Sequence, residues 1–271
     1  MNGDYKHLLS LLDDENDQTA SLAMAELLSR DEKQLEPVLR KLQESSDPRL
    51  RKRIHQLQST IFLRRRRGSF SSNLSEKKLN LLEGLIQLHL LWFDNDSAEG
   101  LRKQWNKLVA EARKFRPDTL ESLAYFMRKI NFACTHKDDL DPDHLCLGTV
   151  LDDAAGADFM MCSIACLIAA HWNLHLRITQ SAETDFILLD DDGNILVPAN
   201  DWDYLLCDHK NYAFEFWTVP MILRYATALL FTCAVSADSF RYVYTIGSCL
   251  SGPSRPEGPD FLPFPYGRDK K

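Results

Sequence analysis

A cysteine nucleophile needs a base within reach, and the cysteines of this chain do not obviously have one. Cys162 and Cys166 stand one helical turn apart in the apolar run of residues 159–172, so they share a helix face. His171 and His175 lie beyond the far end of that helix, away from the N-terminus whose dipole would lower a thiol pKa. Both cysteines therefore read as small residues on a buried helix. Cys207-Asp208-His209 is a single close Cys/His pair, whereas zinc takes four ligands at recognisable spacing. Asp190-Asp191-Asp192-Gly193 resembles the start of a calcium loop but lacks its twelfth-position glutamate, and reads as a turn. No metal or other cofactor is implied. Arg64, Arg65, Arg66 and Arg67 are the one concentrated cationic group. They suit a helix C-terminus, where cations meet the negative end of the dipole. They are also the candidate contact for an anion or an acidic partner, although four adjacent arginines on a helix cannot all face one ligand.

The elements that would position these groups are mostly helical. Leu35, Val38, Leu39 and Leu42 repeat as one stripe of an amphipathic helix. Asn16 or Asp17 can cap the helix before it. Asp47-Pro48 supplies a cap and a proline at the first helical position, opening a helix through Leu50, Ile54, Leu57 and Ile61. The pattern then breaks over residues 64–75, a basic run followed by serines, which predicts a helix end and a loop. Ser75 is placed to cap a helix over residues 76–93. Ser97 is placed to cap another, carrying Leu101, Trp105, Leu108, Ala112 and Phe115. Pro117-Asp118 separates it from a helix bearing Leu123 and Ile130.

From Asn131 the chain turns polar. An apolar helix follows from Gly156, then strands around Leu174, Leu176 and Ile178, residues 186–189 and residues 195–197, joined by the Asp/Gly turn. A last helix is expected over residues 219–235, with a partner over 239–250. Its apolar residues Ile222, Leu229, Leu230 and Phe231 are expected to pack on the core. The tail, 251–271, is rich in proline and glycine and predicts no regular structure.

Composition narrows the class. A chain of 271 residues, 45% hydrophobic, can bury a substantial core. A formal net charge of −7 disfavours a general nucleic-acid binder. Seven cysteines without fixed spacing fit free thiols in a reducing compartment. The N-terminus carries no signal-peptide pattern. The apolar runs at 159–172 and 219–235 fall short of the roughly 20 residues that span a bilayer. A cytoplasmic protein without membrane contact is the expectation.

The order of these elements resembles the SirB-type proteins of the transglutaminase-like superfamily. The matching positions are Asp141-Pro142 through Leu147, Val150-Leu151, Gly156, Leu174, Phe186-Ile187-Leu188 and Val197-Pro198. The resemblance implies a bacterial protein of α+β class. A HEAT-like helical region over residues 1–68 precedes a transglutaminase-like (papain-like) domain with a small antiparallel sheet over 75–210. Helices over 211–250 are the remnant of a TPR-like end, and 251–271 is a tail. It also places the family's Cys–His–Asp triad on Asp158, Asp185 and Val197. An aspartate beside another aspartate replaces neither thiolate nor base, so the resemblance implies a pseudoenzyme. The expected role is an interaction or scaffold module with a protein partner. The alternative is a small-molecule or hydrolase-like site rebuilt around Asp158 and Asp185, with Cys162 as a further cleft residue.

Overall fold

The computed structural model describes residues 3–182, 184–206 and 214–250. The pair at Cys207 and His209 and the tail 251–271 lie outside these. The fold is α+β, mostly helical with a small antiparallel sheet, and the chain divides into two compact units with the break after Gly68.

The first unit is helical. It comprises α1 (Gly3–Leu11), α2 (Asp17–Ser29), α3 (Glu32–Leu42) and the greater part of α4 (Pro48–Ser75). The starts of α2, α3 and α4 each have an acceptor for the orphan N–H groups of a first turn. The Asn16 side chain accepts from Gln18 N at 2.9 Å, and that of Asp31 from Lys33 N at 3.0 Å. Asp47 accepts from Arg49 N at 2.7 Å, with Pro48 beside it where no donor is lost. Leu27, Leu35, Leu39, Ile54 and Leu57 are fully buried and make the core of this unit.

Two expectations fail here. Residues 64–75 do not break the helix: α4 continues to Ser75. The reason is that Leu63, Phe70 and Leu74 are buried at helical spacing among the serines and arginines. Nor does Ser75 cap the next helix. Asn80 does so, accepting from Glu83 N at 2.9 Å, and α5 runs only over Leu81–Trp92.

In the second unit, α6 (Ala98–Ala112) is capped by Ser97, which accepts from Gly100 N at 3.0 Å. The next helix, α7 (Leu120–Lys129), opens with a reciprocal box between Thr119 and Ser122. The polar stretch that follows contains a two-residue strand, β1 (Ala133–Cys134), parallel to β2 (Ala155–Gly156), with Cys134 opposite Gly156. Between them lies α8 (Leu147–Asp153). The central helix, α9 (Asp158–Ala170), is buried on nearly every face, from Phe159 and Met160 to Ile168 and Ala169. An all-round apolar helix belongs in a core. It packs on a four-stranded antiparallel meander, β3 (Arg177–Gln180), β4 (Phe186–Leu189), β5 (Ile195–Val197) and β6 (Asp203–Leu205), in sequence order across the sheet. Leu174 and Leu176 precede β3 rather than lie in it.

The chain closes with α10 (Val219–Ser236) and α11 (Phe240–Leu250), which pack on each other and on α5. By length and composition α10 could cross a membrane, and among the described residues it alone could. The expectation that residues 219–235 are too short is corrected to that extent. Its Ile222, Leu223, Ala226 and Leu230 are nevertheless buried against the core of the unit. Gly84 lets α5 approach so closely that an added Cβ would overlap the Leu223 side chain.

Candidate functional site

Three elements meet at the N-terminus of α9. Parallel pairing of β1 with β2 brings the segment after Cys134 alongside Gly156. The sheet brings the start of β4 to the same corner, because α9 packs along β3 and β4. Asp158 is the first residue of α9, one place inside the cap position held by Ala157. Its Oδ1 accepts the Phe159 N–H at 2.7 Å, and its Oδ2 accepts the Phe186 N–H at 3.0 Å. One carboxylate therefore satisfies a first-turn orphan of the helix and ties the helix to the first residue of β4.

Asp185 precedes that strand residue. Its carboxylate forms an ion pair with Lys137, whose ammonium also reaches Thr184 Oγ1 at 3.4 Å. Lys137 faces Asp158 as well: it pulls the Asp158 pKa down, while Asp185 pushes it up. Burial is the largest influence on Asp158 and raises its pKa above the ordinary carboxylate value. So the structure does bring Asp158 and Asp185 to one corner, but around a shared ammonium.

A cleft opens beside this corner. Lys137, Asp158, Phe159, Phe186, Tyr225 and Leu229 form part of its lining, and its volume is about 180 Å³. That is below the several hundred Å³ of a site for a drug-sized ligand. Cys162 does not line it. Lying one turn beyond Asp158, its side chain is fully buried in the core, and burial pushes its thiol well above the ordinary value. The candidate cleft residue Cys162 is thus corrected to a packing residue. Among the described residues, a thiol that feels both carboxylates is Cys134, which sequence reasoning missed. Burial first, then the charges of Asp158 and Asp185, push it up to about 12. A thiol in that environment is not a thiolate at neutral pH. Val197, which the resemblance sets at the third triad position, is half-buried at the end of β5 opposite Asp203 and has no titratable group.

A histidine–carboxylate pair does exist in this unit, away from the cleft lining. His89 is buried, accepts the Gly148 N–H on Nδ1 at 3.2 Å and meets Asp96 through Nε2 at 2.8 Å. Since Gly148 must donate to Nδ1, the proton sits on Nε2 and Asp96 accepts it. The pair fastens α8 to α5. Nothing in the sequence singled out His89, because its partners lie 59 and 7 residues away.

Arg64, Arg65 and Arg66 of the arginine run are engaged within the first unit. Arg64 donates to the Leu28 carbonyl at 2.7 Å, and Arg65 bonds Glu32 at 2.8 Å and Glu36 at 3.0 Å. Arg66 stacks over Phe62 with 4.0 Å to the ring centre, and Arg67 is buried. Arg64 also lies 3.8 Å from Glu32, which it shares with Arg65, whereas Arg66 meets an aromatic ring. At the Asp190 turn the carboxylate accepts from Asp192 N, Asn194 N and Asn194 Nδ2, which uses its lone pairs locally.

Residues 98–197 match the Transglutaminase-like superfamily. The chain thus carries a transglutaminase-like domain that runs from the start of α6 to the end of β5. No curated protein and no solved structure matches the chain.

The Asp158 linkage makes a prediction for stability. Asp158→Ala leaves the Phe186 N–H without its acceptor and should lower stability by about 1–3 kcal/mol. Asp158→Asn keeps one amide oxygen and should lower it less. Because the folded pKa of Asp158 is raised, its titration favours the folded state fully below the ordinary value of 3.8 and loses that contribution as pH rises through the raised value. The deficit of Asp158→Asn should therefore shrink with rising pH. Urea midpoints followed by tryptophan fluorescence check this; a deficit that grows with pH contradicts it.

Proposed function

We propose that this protein is a non-catalytic transglutaminase-like module that acts through a protein partner. The observation that carries this reading is the Asp158 carboxylate bound to the backbone of both Phe159 and Phe186. At the position where a nucleophile would have to be free, it serves as a fastening between helix and sheet. Two further features support the reading. Asp185 is paired with Lys137 rather than placed as a base, and the thiols nearby are pushed away from the thiolate form.

Within the superfamily we assign the chain to the SirB-type proteins, with a HEAT-like first unit, a bacterial origin and a cytoplasmic location. The succession of a helical unit, the matched domain and two closing helices supports this, and the net charge of −7 suits a protein partner better than a nucleic acid.

The test is turnover. Ammonia release from a glutamine amide, and incorporation of a fluorescent primary amine into a glutamine-bearing protein, are expected to stay at the buffer rate. Turnover that disappears in Asp158→Asn or Cys134→Ser would overturn the reading.

A further inference from the structure

The outer face of α4 in the first unit has a composition that folding does not use. Over Pro48–Ser75 the helix carries eight arginines and lysines and no aspartate or glutamate. Where it faces its neighbours the cations are balanced: Arg53 meets Asp17 on α2 at 2.7 Å, and Arg65 meets Glu32 on α3 at 2.8 Å. The opposite face differs. Arg51, His55, Ser59, Phe62 and Arg66 recur every three or four residues and so line one stripe, about 22 Å long at a rise of about 1.5 Å per residue. Lys52 flanks it. Arg51, Lys52 and His55 are exposed, and among the described residues their side chains make no ion pair and no hydrogen bond. Phe62 is 49% exposed, and the Arg66 guanidinium lies over its ring, 4.0 Å from the centre. An aromatic ring with an arginine stacked on it, beside cations without counter-charges, is the composition of an interface centre.

We infer that this stripe docks an acidic segment of a protein partner, whose carboxylates meet Arg51 and Lys52 while an apolar side chain covers Phe62. Charge complementarity selects the acid, and the rest of the chain selects a protein. Residues 1–68 carry 13 Lys/Arg against 11 Asp/Glu, and residues 69–271 carry 19 against 28. A long polyanion such as nucleic acid, or an anionic membrane, is repelled by most of that charge. A few cations along one helix also give it few phosphate contacts. A short acidic segment needs only the stripe. This docking rests on the reading of the protein as an interaction module, and it gives that module a surface and a partner chemistry.

The experiment is fluorescence anisotropy of a dye-labelled, glutamate-rich peptide carrying two leucines, titrated with the full chain at about 50 mM salt. Saturable binding is expected, with a Kd of roughly 10–300 μM that weakens as salt is added. Arg51→Glu with Lys52→Glu should weaken it about 10-fold or more, and Phe62→Ala about 5- to 30-fold. These side chains are exposed, so an unchanged far-UV circular dichroism spectrum is expected to accompany the loss. Lys103→Glu, on α6 of the other unit, is expected to leave binding as it was. The same peptide with serine in place of leucine should bind more weakly to the unsubstituted chain but equally to Phe62→Ala.

No saturable binding, or equal weakening by Lys103→Glu, would overturn the inference and leave the non-catalytic reading standing. Tighter binding of a labelled single-stranded oligonucleotide or of phosphatidylglycerol vesicles, lost in Arg51→Glu, would assign the stripe to another occupant and overturn it too. So would self-association in light scattering that Arg51→Glu abolishes, since the occupant is then a second copy. Ammonia release from a glutamine amide would overturn the non-catalytic reading while peptide binding stood.

Discussion

Trp202→Ala is expected to destabilise the second unit by about 3–5 kcal/mol, the range for deleting a large aromatic side chain from a packed interior. Trp202 is wholly buried, and its indole Nε1 donates to the Phe132 carbonyl at 2.6 Å. That bond links the segment entering β6 to the residue that begins the path into β1. The backbone there has positive φ at two successive non-glycine residues, 46° at Asp201 and 57° at Trp202, a conformation disfavoured for a bulky side chain. Burial and the indole bond hold it in place. Trp202→Phe keeps most of the apolar area but leaves the carbonyl unpaired, and should be intermediate. Trp92, Trp105, Trp172 and Trp217 remain in the same unit to report its urea transition. A loss below about 1 kcal/mol for the alanine variant, within the range of an ordinary surface change, would contradict this account.

The second large effect is expected in the first unit. Arg53→Met should destabilise it by about 2–4 kcal/mol, the scale of losing two charge-assisted hydrogen bonds. The Arg53 side chain is buried, and its Nη1 donates to the carbonyls of Leu12 at 2.6 Å and Asp14 at 2.7 Å. These carbonyls follow the last turn of α1, so one guanidinium closes the link into α2. Its Nη2 also meets Asp17 at 2.7 Å. Asp17 is nearly fully exposed, so that pair contributes little beyond the two carbonyl bonds. Methionine retains the apolar stem and isolates the loss of the donors. Arg53→Lys should rescue only part of it, because a single ammonium lacks the planar fork that spans these acceptors. The first unit contains no tryptophan, so far-UV circular dichroism must follow this transition. An Arg53→Met protein with an unchanged helical transition would show that the carbonyls find other donors.

The helical frame was legible because its determinants are local. The caps at Asn16, Asp47 and Ser97 act on N–H groups two or three residues away, within reach of a short sequence window. The two residues that the resemblance named, Asp158 and Asp185, lie close enough together for one charge to act on the other. The misreadings had a local cause too. Residues 64–75 look like a helix end because serines and arginines dominate them, yet three buried apolar residues, Leu63, Phe70 and Leu74, outweigh that composition. Burial of a helix face is a tertiary effect, and it overrides weak intrinsic preference. Cys162 was misplaced for the complementary reason: one turn beyond Asp158 on a helix surrounded by core, it could only point inward.

What the sequence determined by itself is therefore most of the helices, three of the strands and their order along the chain. What only the tertiary structure decided is the chemistry of the corner. The Phe186 N–H that binds Asp158 lies 28 residues downstream, Lys137 comes from the segment after β1, and Tyr225 comes from α10. A carboxylate's role depends on the donors and charges within a few ångströms of it. Those neighbours were assembled by the packing of α9 against the sheet and α10, and no spacing along the chain encodes them.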